Sequence, residues 1–157
     1  MYEPGILVRK PREEELDQLA DLIKRFYIFN EEFDPAWSIV ADPDNTARIV
    51  AKEYIEGAGE TLVALIDSQV VGYIHAEIRE NKMLEAGKIG VITEVYVHPQ
   101  ARRRGIASRL VEEMQALLGE KGVRHIAAEF PAQNIVAKEF YSKLKFRPYA
   151  SIYLREV

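Results

Sequence analysis

Cysteine is absent from the 157 residues, which removes disulfides, thiolate zinc sites and a covalent acyl-cysteine route together. No apolar run approaches the length that crosses a bilayer. Met1-Tyr2-Glu3-Pro4-Gly5 has neither the basic nor the apolar region of a secretory leader, so the expectation is a cytoplasmic protein. Excess positive charge is missing too. The 21 Lys+Arg against 25 Asp+Glu leave a formal net charge of -4, which argues against a dedicated nucleic-acid binder and leans slightly toward a cationic partner. Repeats, low-complexity tracts and linkers are lacking, so residues 1–157 are expected to form one domain. A chain of that length buries on the order of 70% of its unfolded surface and needs no metal to hold it.

What the chain does have is organised around residues 92–118. Ile92-Thr93-Glu94-Val95-Tyr96-Val97 is rich in β-branched and aromatic residues and stops at His98-Pro99, which reads as a strand ending in a turn. From Ile106, apolar residues recur at Leu110, Val111, Met114, Leu117 and Leu118, the spacing of one helix face. The basic loop Arg102-Arg103-Arg104-Gly105 therefore opens onto a helix N-terminus. The free N–H groups and dipole there favour a phosphate, and Gly105 and Ala107 allow close approach. The loop has no Gly-Lys-Ser/Thr ending, which disfavours a nucleoside triphosphatase. It also lacks the Gly-x-Gly-x-x-Gly fingerprint of a dinucleotide site.

The rest of the chain predicts strand, two helices, three strands, helix, strand, helix, strand, an order suited to a mixed α/β sheet. Ile6–Arg9 begins it, and Leu16 to Tyr27 follow the helical period. Residues 28–41 break that period and read as a loop or broken helix. Asp42-Pro43 resembles an N-cap with proline at the first helical position, opening a helix that ends near Gly57. Thr61–Ile66 and Val70–Arg79 form a hairpin, and residues 80–88 a polar connection. Val123–Phe130 is a strand, Ile135–Leu144 a helix, and Ala150–Glu156 a closing strand that, as an exposed edge, can pair across subunits into a homodimer.

The strand Val95-Tyr96-Val97-His98-Pro99 followed by Arg102-Arg103-Arg104-Gly105-Ile106-Ala107 resembles the GNAT superfamily of N-acetyltransferases, whose acyl-coenzyme A loop has the form Arg/Gln-x-x-Gly-x-Gly/Ala. Asn134 and Ala137 to Phe146, with Phe140-Tyr141 inside, resemble the superfamily's second segment. One departure is Lys145 where glycine usually precedes the phenylalanine; lysine takes a left-handed cap only at a cost, so a locally altered helix end is expected. The likeness covers about residues 6 to 157 and implies the GNAT fold, a central twisted, mostly antiparallel sheet with splayed central strands and flanking helices.

That resemblance also implies site residues. Acetyl-coenzyme A would lie with its pantetheine arm along Val95, Tyr96 and Val97, its pyrophosphate held by backbone from Arg103 to Ala107 after Arg102, with Asn134 and Tyr141 nearby. Tyr141 takes the position of a phenol beside the sulfur, where it can protonate the leaving thiolate. Glu94 is the first candidate general base and Glu129 the second. If Glu94 faces the cleft, alternation sends Val95 and Val97 to the other side unless a bulge intervenes. The acceptor, a small-molecule or protein amine, would meet residues 29–44, where Phe29, Phe33 and Trp37 can line a slot and Glu31, Glu32 and Asp34 can attract a cation. His75 and Glu77 share a strand face, but no third ligand is evident and no metal is expected; His98 and His125 have no triad-like setting. Two rivals remain at this point: a non-catalytic acyl-coenzyme A binding or sensing module, and a nucleic-acid binder using Arg102, Arg103, Arg104 and Arg109.

Overall fold

In the computed structural model, Gly5 to Val157 are described; Met1–Pro4, part of the stretch read as lacking leader features, lie outside the described residues. Among the described residues, five strands form one sheet in sequence order: β1 (Ile6–Arg9), β2 (Glu60–Ile66), β3 (Gln69–Glu80), β4 (Lys88–Val97) and β5 (His125–Ala128). The first four are antiparallel neighbours, while β5 runs parallel to β4. A parallel neighbour needs a crossover, and α3 (Ile106–Glu120) supplies it.

The two sheet faces carry separate cores. On one, Ile74, Ala76, Ile92 and Val97 pack with Ile106, Leu110, Met114 and Leu118 of α3, and Tyr141 of α4 (Ile135–Lys143) joins them. On the other, Val63, Leu65 and Tyr73 meet Leu19, Leu22, Ile23 and Phe26 of α1 (Leu16–Glu31) and Ala47 and Ala51 of α2 (Pro43–Ile55). The Asp42 carboxylate accepts the Asn45 N–H at 3.3 Å with Pro43 at the first helical position, as the sequence predicts.

Several expected boundaries move, each for a local reason. The first helix runs through residue 28 to Glu31, because Asn30, polar in sequence, is buried and donates to the Phe26 carbonyl at 2.9 Å. β3 and β4 are longer than expected, since their polar ends still pair from Arg79↔Ile89 to Glu80↔Lys88. β5 is shorter, confined to the four residues that pair with β4. Residues 150–156, expected as a strand, form no hydrogen-bonded strand and run exposed, with Ile152 79%, Tyr153 94% and Leu154 74% accessible. Lys145 has φ 71°, its N–H bonds the Ser142 carbonyl and the Phe146 N–H bonds that of Tyr141, both at 3.0 Å. The helix thus keeps the left-handed ending that glycine would give, and the expected alteration does not occur.

Candidate active site

β4 and β5 stay paired only from Ile89↔His125 to Ile92↔Ala128, and the Glu129 N–H to Ile92 carbonyl bond of 2.9 Å is the last between them. From Thr93 to Val97, β4 has β3 alone beside it, so an opening lies between its C-terminal half and the chain after β5. These are the splayed central strands.

A bulge decides what faces the opening. Ala76 pairs with Ile92 and His75 with Glu94, which leaves Thr93 as an extra residue on β4. One extra residue inverts the alternation beyond it. Ile92 therefore packs in the α3 core, while Glu94 turns to the α1–α2 face with Tyr96; Val95 and Val97 stay with α3. Glu94 is 3% exposed. Its Oε1 accepts from the Tyr73 hydroxyl at 2.8 Å; its Oε2 accepts from Tyr27 at 3.1 Å and from Tyr54.

The electrostatics of this group are set by burial. Desolvation raises the Glu94 pKa, while the three hydroxyl donors pull it back by favouring the carboxylate; burial prevails. Desolvation, reinforced by the Glu94 charge, pushes all three phenols upward, so they remain donors. His75 stacks on the Tyr54 ring, centroids 3.7 Å apart and 5° from parallel, with Nδ1 2.7 Å from the Thr61 hydroxyl. Burial lowers its pKa to about 4, so it is a neutral support near pH 7. Among the described residues no cluster of three candidate metal ligands occurs.

The other expected site residues are distributed around the opening. Tyr141 stands on the opposite face from Glu94, packed by Phe130 (5.6 Å), Phe140 (5.0 Å) and Phe146 (5.2 Å); burial raises its pKa and keeps it a phenol. Glu129 makes a two-pronged pair with Arg79, both contacts 2.8 Å, and that guanidinium holds its carboxyl below the usual range. Asn134 caps α4 through the Ala137 N–H (3.0 Å) and donates to Asn30 at 2.9 Å, tying α4 to the end of α1. The Arg102 guanidinium donates to the Val97 carbonyl at 3.0 Å and lies 5.3 Å over the Tyr96 ring.

Beyond Arg102, Arg103 (φ 67°) and Gly105 (φ 74°) are both left-handed, and α3 starts at Ile106. Backbone of this kind turns successive N–H groups toward one concavity, a nest for an anion. A cavity of about 110 Å³ lies there, bounded by Val97, Ala101, Arg103, Gly105 and Ala107. Its position at a helix start fits one phosphate group of a coenzyme.

A larger cavity, about 460 Å³, sits between α1 and α2. Tyr27, Trp37 and Tyr54 line it, with Tyr27 and Trp37 stacked at 5.9 Å. Of the segment expected to receive the acceptor, Trp37 joins this wall, but Phe29 and Phe33 pack on each other at 5.5 Å and do not line it. Glu31 accepts the Ile39 N–H and Asp34 that of Ala36, each at 2.8 Å. Sequence reasoning missed Tyr27, Tyr54 and Tyr73 as a group. The available signal was tyrosine, not phenylalanine, at three core positions, since a buried hydroxyl needs a partner.

Comparison with known proteins agrees with this architecture. The sequence profile described as "Acetyltransferase (GNAT) family" matches residues 16–146. An aminoglycoside N(6')-acetyltransferase type 1 of Salmonella typhimurium is 24% identical over 88 residues, 55% of this chain, and the match spans only 61% of that enzyme. An uncharacterized N-acetyltransferase of Archaeoglobus fulgidus is 24% identical over 89% of this chain and 92% of its own. Among solved structures, an aminoglycoside N-acetyltransferase in complex with CoA superposes with TM-score 0.78 at 19% identity, covering 96% of this chain and 94% of that one. With a matching profile over most of its length, and a sheet that splays beside a basic loop and a helix N-terminus, this chain belongs to the GNAT acetyltransferase family.

Proposed function

We propose that the protein is an N-acetyltransferase that moves an acetyl group from acetyl-coenzyme A to a primary amine by direct attack on the thioester. The observation that carries this reading is the splay beyond Ile92 with Tyr141 on one face and Glu94 on the other. A coenzyme laid in that opening would have an acid on one side of the sheet and a base on the other. The nest from Arg103 to Ala107 would hold the pyrophosphate, and backbone of Val95 to Val97 the pantetheine. The thioester supplies the activated acyl group; the protein supplies proton management.

An acceptor amine arrives as an ammonium, with pKa near ~10. The Glu94 carboxylate removes its proton through the Tyr27 or Tyr54 hydroxyl: the phenol takes a proton from the ammonium as its own passes to Oε2. The neutral amine attacks the thioester carbon to form the C–N bond, the C–S bond breaks as Tyr141 donates its proton to the departing sulfur, and the second proton that the acetylated nitrogen loses returns through solvent to restore the Tyr141 phenol. Glu129 is paired with Arg79, which holds its carboxyl below the usual range and makes it the weaker base, and this supports Glu94 in that role. A thiolate near pKa ~8.5 leaves readily, so Tyr141→Phe is expected to lower kcat only about 10- to 100-fold, with KM for the amine little changed. Calorimetric titration with acetyl-coenzyme A, followed by thiol release across an amine panel, tests the whole reading. A folded protein that does not bind the coenzyme would overturn it; binding without turnover on any amine would favour a non-catalytic acyl-coenzyme A sensor.

The exposed arm from Arg147 to Val157 supports a second part of the reading, a homodimer. β5 is one of the two edges of the sheet, and the arm carries Ile152 and Leu154 unburied, so it suits the β5 edge of a second copy. Deleting residues 149–157 is expected to convert a dimer to a monomer in sedimentation; a wild type that sediments as a monomer would refute this.

A further inference from the structure

The acceptor itself can be narrowed from the cavity between α1 and α2, an inference that rests on the acetyl-transfer reading. Its inner end is formed by Tyr27 and Tyr54, whose hydroxyls both reach Glu94 Oε2. Its walls are mostly aliphatic, with Ile23, Ile39, Val40 and Val50 among them, and Trp37 stacks on Tyr27 along one side; the hydroxyl residues there are Ser38, which donates to the Pro35 carbonyl at 2.8 Å, and Thr46. Among the described lining residues no carboxylate occurs; the one charged group is Lys24, whose ammonium is matched by Asp44 at 2.7 Å. Of the three acids that sequence offered for attracting a cation, Glu31 and Asp34 are turned to backbone N–H groups instead.

This places charge recognition at one end only. A cationic head can lie against the electron-rich faces and hydroxyls of Tyr27 and Tyr54 with Glu94 behind them. Anything attached to that head lies mostly against aliphatic side chains and an indole. A second or third ammonium would meet no carboxylate there, and a ring of hydroxyls would find few partners beyond Ser38 and Thr46, so each further polar group weakens binding. A volume of about 460 Å³ is ample for a single ring and its linker, so the lining and not the size discriminates among acceptors.

We infer that the acceptor is an amphipathic monoamine, with one primary ammonium on a short aryl or alkyl arm, and not a polycation such as an aminoglycoside or polyamine. Trp37 is the sole tryptophan and lies in the cavity wall, so its fluorescence reads occupancy without requiring turnover. Phenethylamine should give a saturable Trp37 response, and its kcat/KM should exceed those of spermidine and kanamycin by at least about 10-fold. Val50→Lys should raise the KM for phenethylamine at least about 10-fold, while calorimetry shows acetyl-coenzyme A binding retained, which also certifies the variant's fold. Preference for kanamycin or spermidine would overturn the inference and leave acetyl transfer standing. If the wild type binds no acetyl-coenzyme A, the transfer reading falls, and the presence or absence of a Trp37 response to phenethylamine still decides what the cavity takes.

Discussion

Glu94→Gln should reduce kcat by about 100- to 1,000-fold, within the range general bases contribute, while acetyl-coenzyme A affinity stays near that of the wild type. Glutamine keeps an acceptor oxygen for the tyrosine hydroxyls but cannot take a proton. The pH profile separates this from a packing effect. Burial lifts the Glu94 pKa above the ordinary carboxylate range, so wild-type kcat/KM should rise with pH through that raised value, as the carboxylate forms; the variant should lose that acid limb. Linkage gives a second readout. The folded state holds the Glu94 proton to higher pH than the unfolded chain, so this group's contribution to stability declines as pH climbs from the ordinary carboxylate pKa to the raised one. Glu94→Gln should remove that slope. Tyr27→Phe and Tyr54→Phe, whose hydroxyls share Oε2, should act non-additively with each other because either can carry the proton. Thiol-release kinetics from about pH 5 to 9 check all of this; an unchanged acid limb in Glu94→Gln would remove it from the base role.

Much of the frame was legible in sequence because it depends on local chemistry. The periodicity from Ile106 to Leu118 marks α3, Asp42-Pro43 marks the start of α2, and the basic loop with Gly105 marks the nest. The Glu94 environment was not legible, because three tyrosines reach it from 67, 40 and 21 residues away along the chain. Their convergence depends on the Thr93 bulge, and a one-residue slip has no signature in the alternation of a β-rich run. Without the bulge, Glu94 would share the α3 face with Ile92. The same holds for the acidic segment before α2: charge suggested steering, but Glu31 and Asp34 serve as local backbone acceptors. Sequence registers the charge of a side chain and not whether the nearest unpaired N–H has already claimed it.

Gly105→Val should weaken acetyl-coenzyme A binding by about 100-fold, since roughly 3 kcal/mol is at stake. Gly105 adopts φ 74° just before α3. A β-branched residue there bears about 1–2 kcal/mol of backbone strain, and because Gly105 bounds the cavity, added side-chain atoms would crowd the approach of a phosphate oxygen to the N–H groups. Relief of the strain by moving to negative φ would turn those N–H groups away, so either response costs affinity. Because the nest binds through backbone dipoles and only partly through arginine charge, the variant should lose affinity while largely keeping the wild-type salt dependence. An Arg103→Gln and Arg104→Gln pair should do the reverse, flattening the salt dependence with a smaller loss at low ionic strength. Calorimetric titrations at two salt concentrations distinguish the contributions. If Gly105→Val binds like wild type, the pyrophosphate lies elsewhere, and the left-handed pair Arg103 and Gly105 serves only to join β4 to α3.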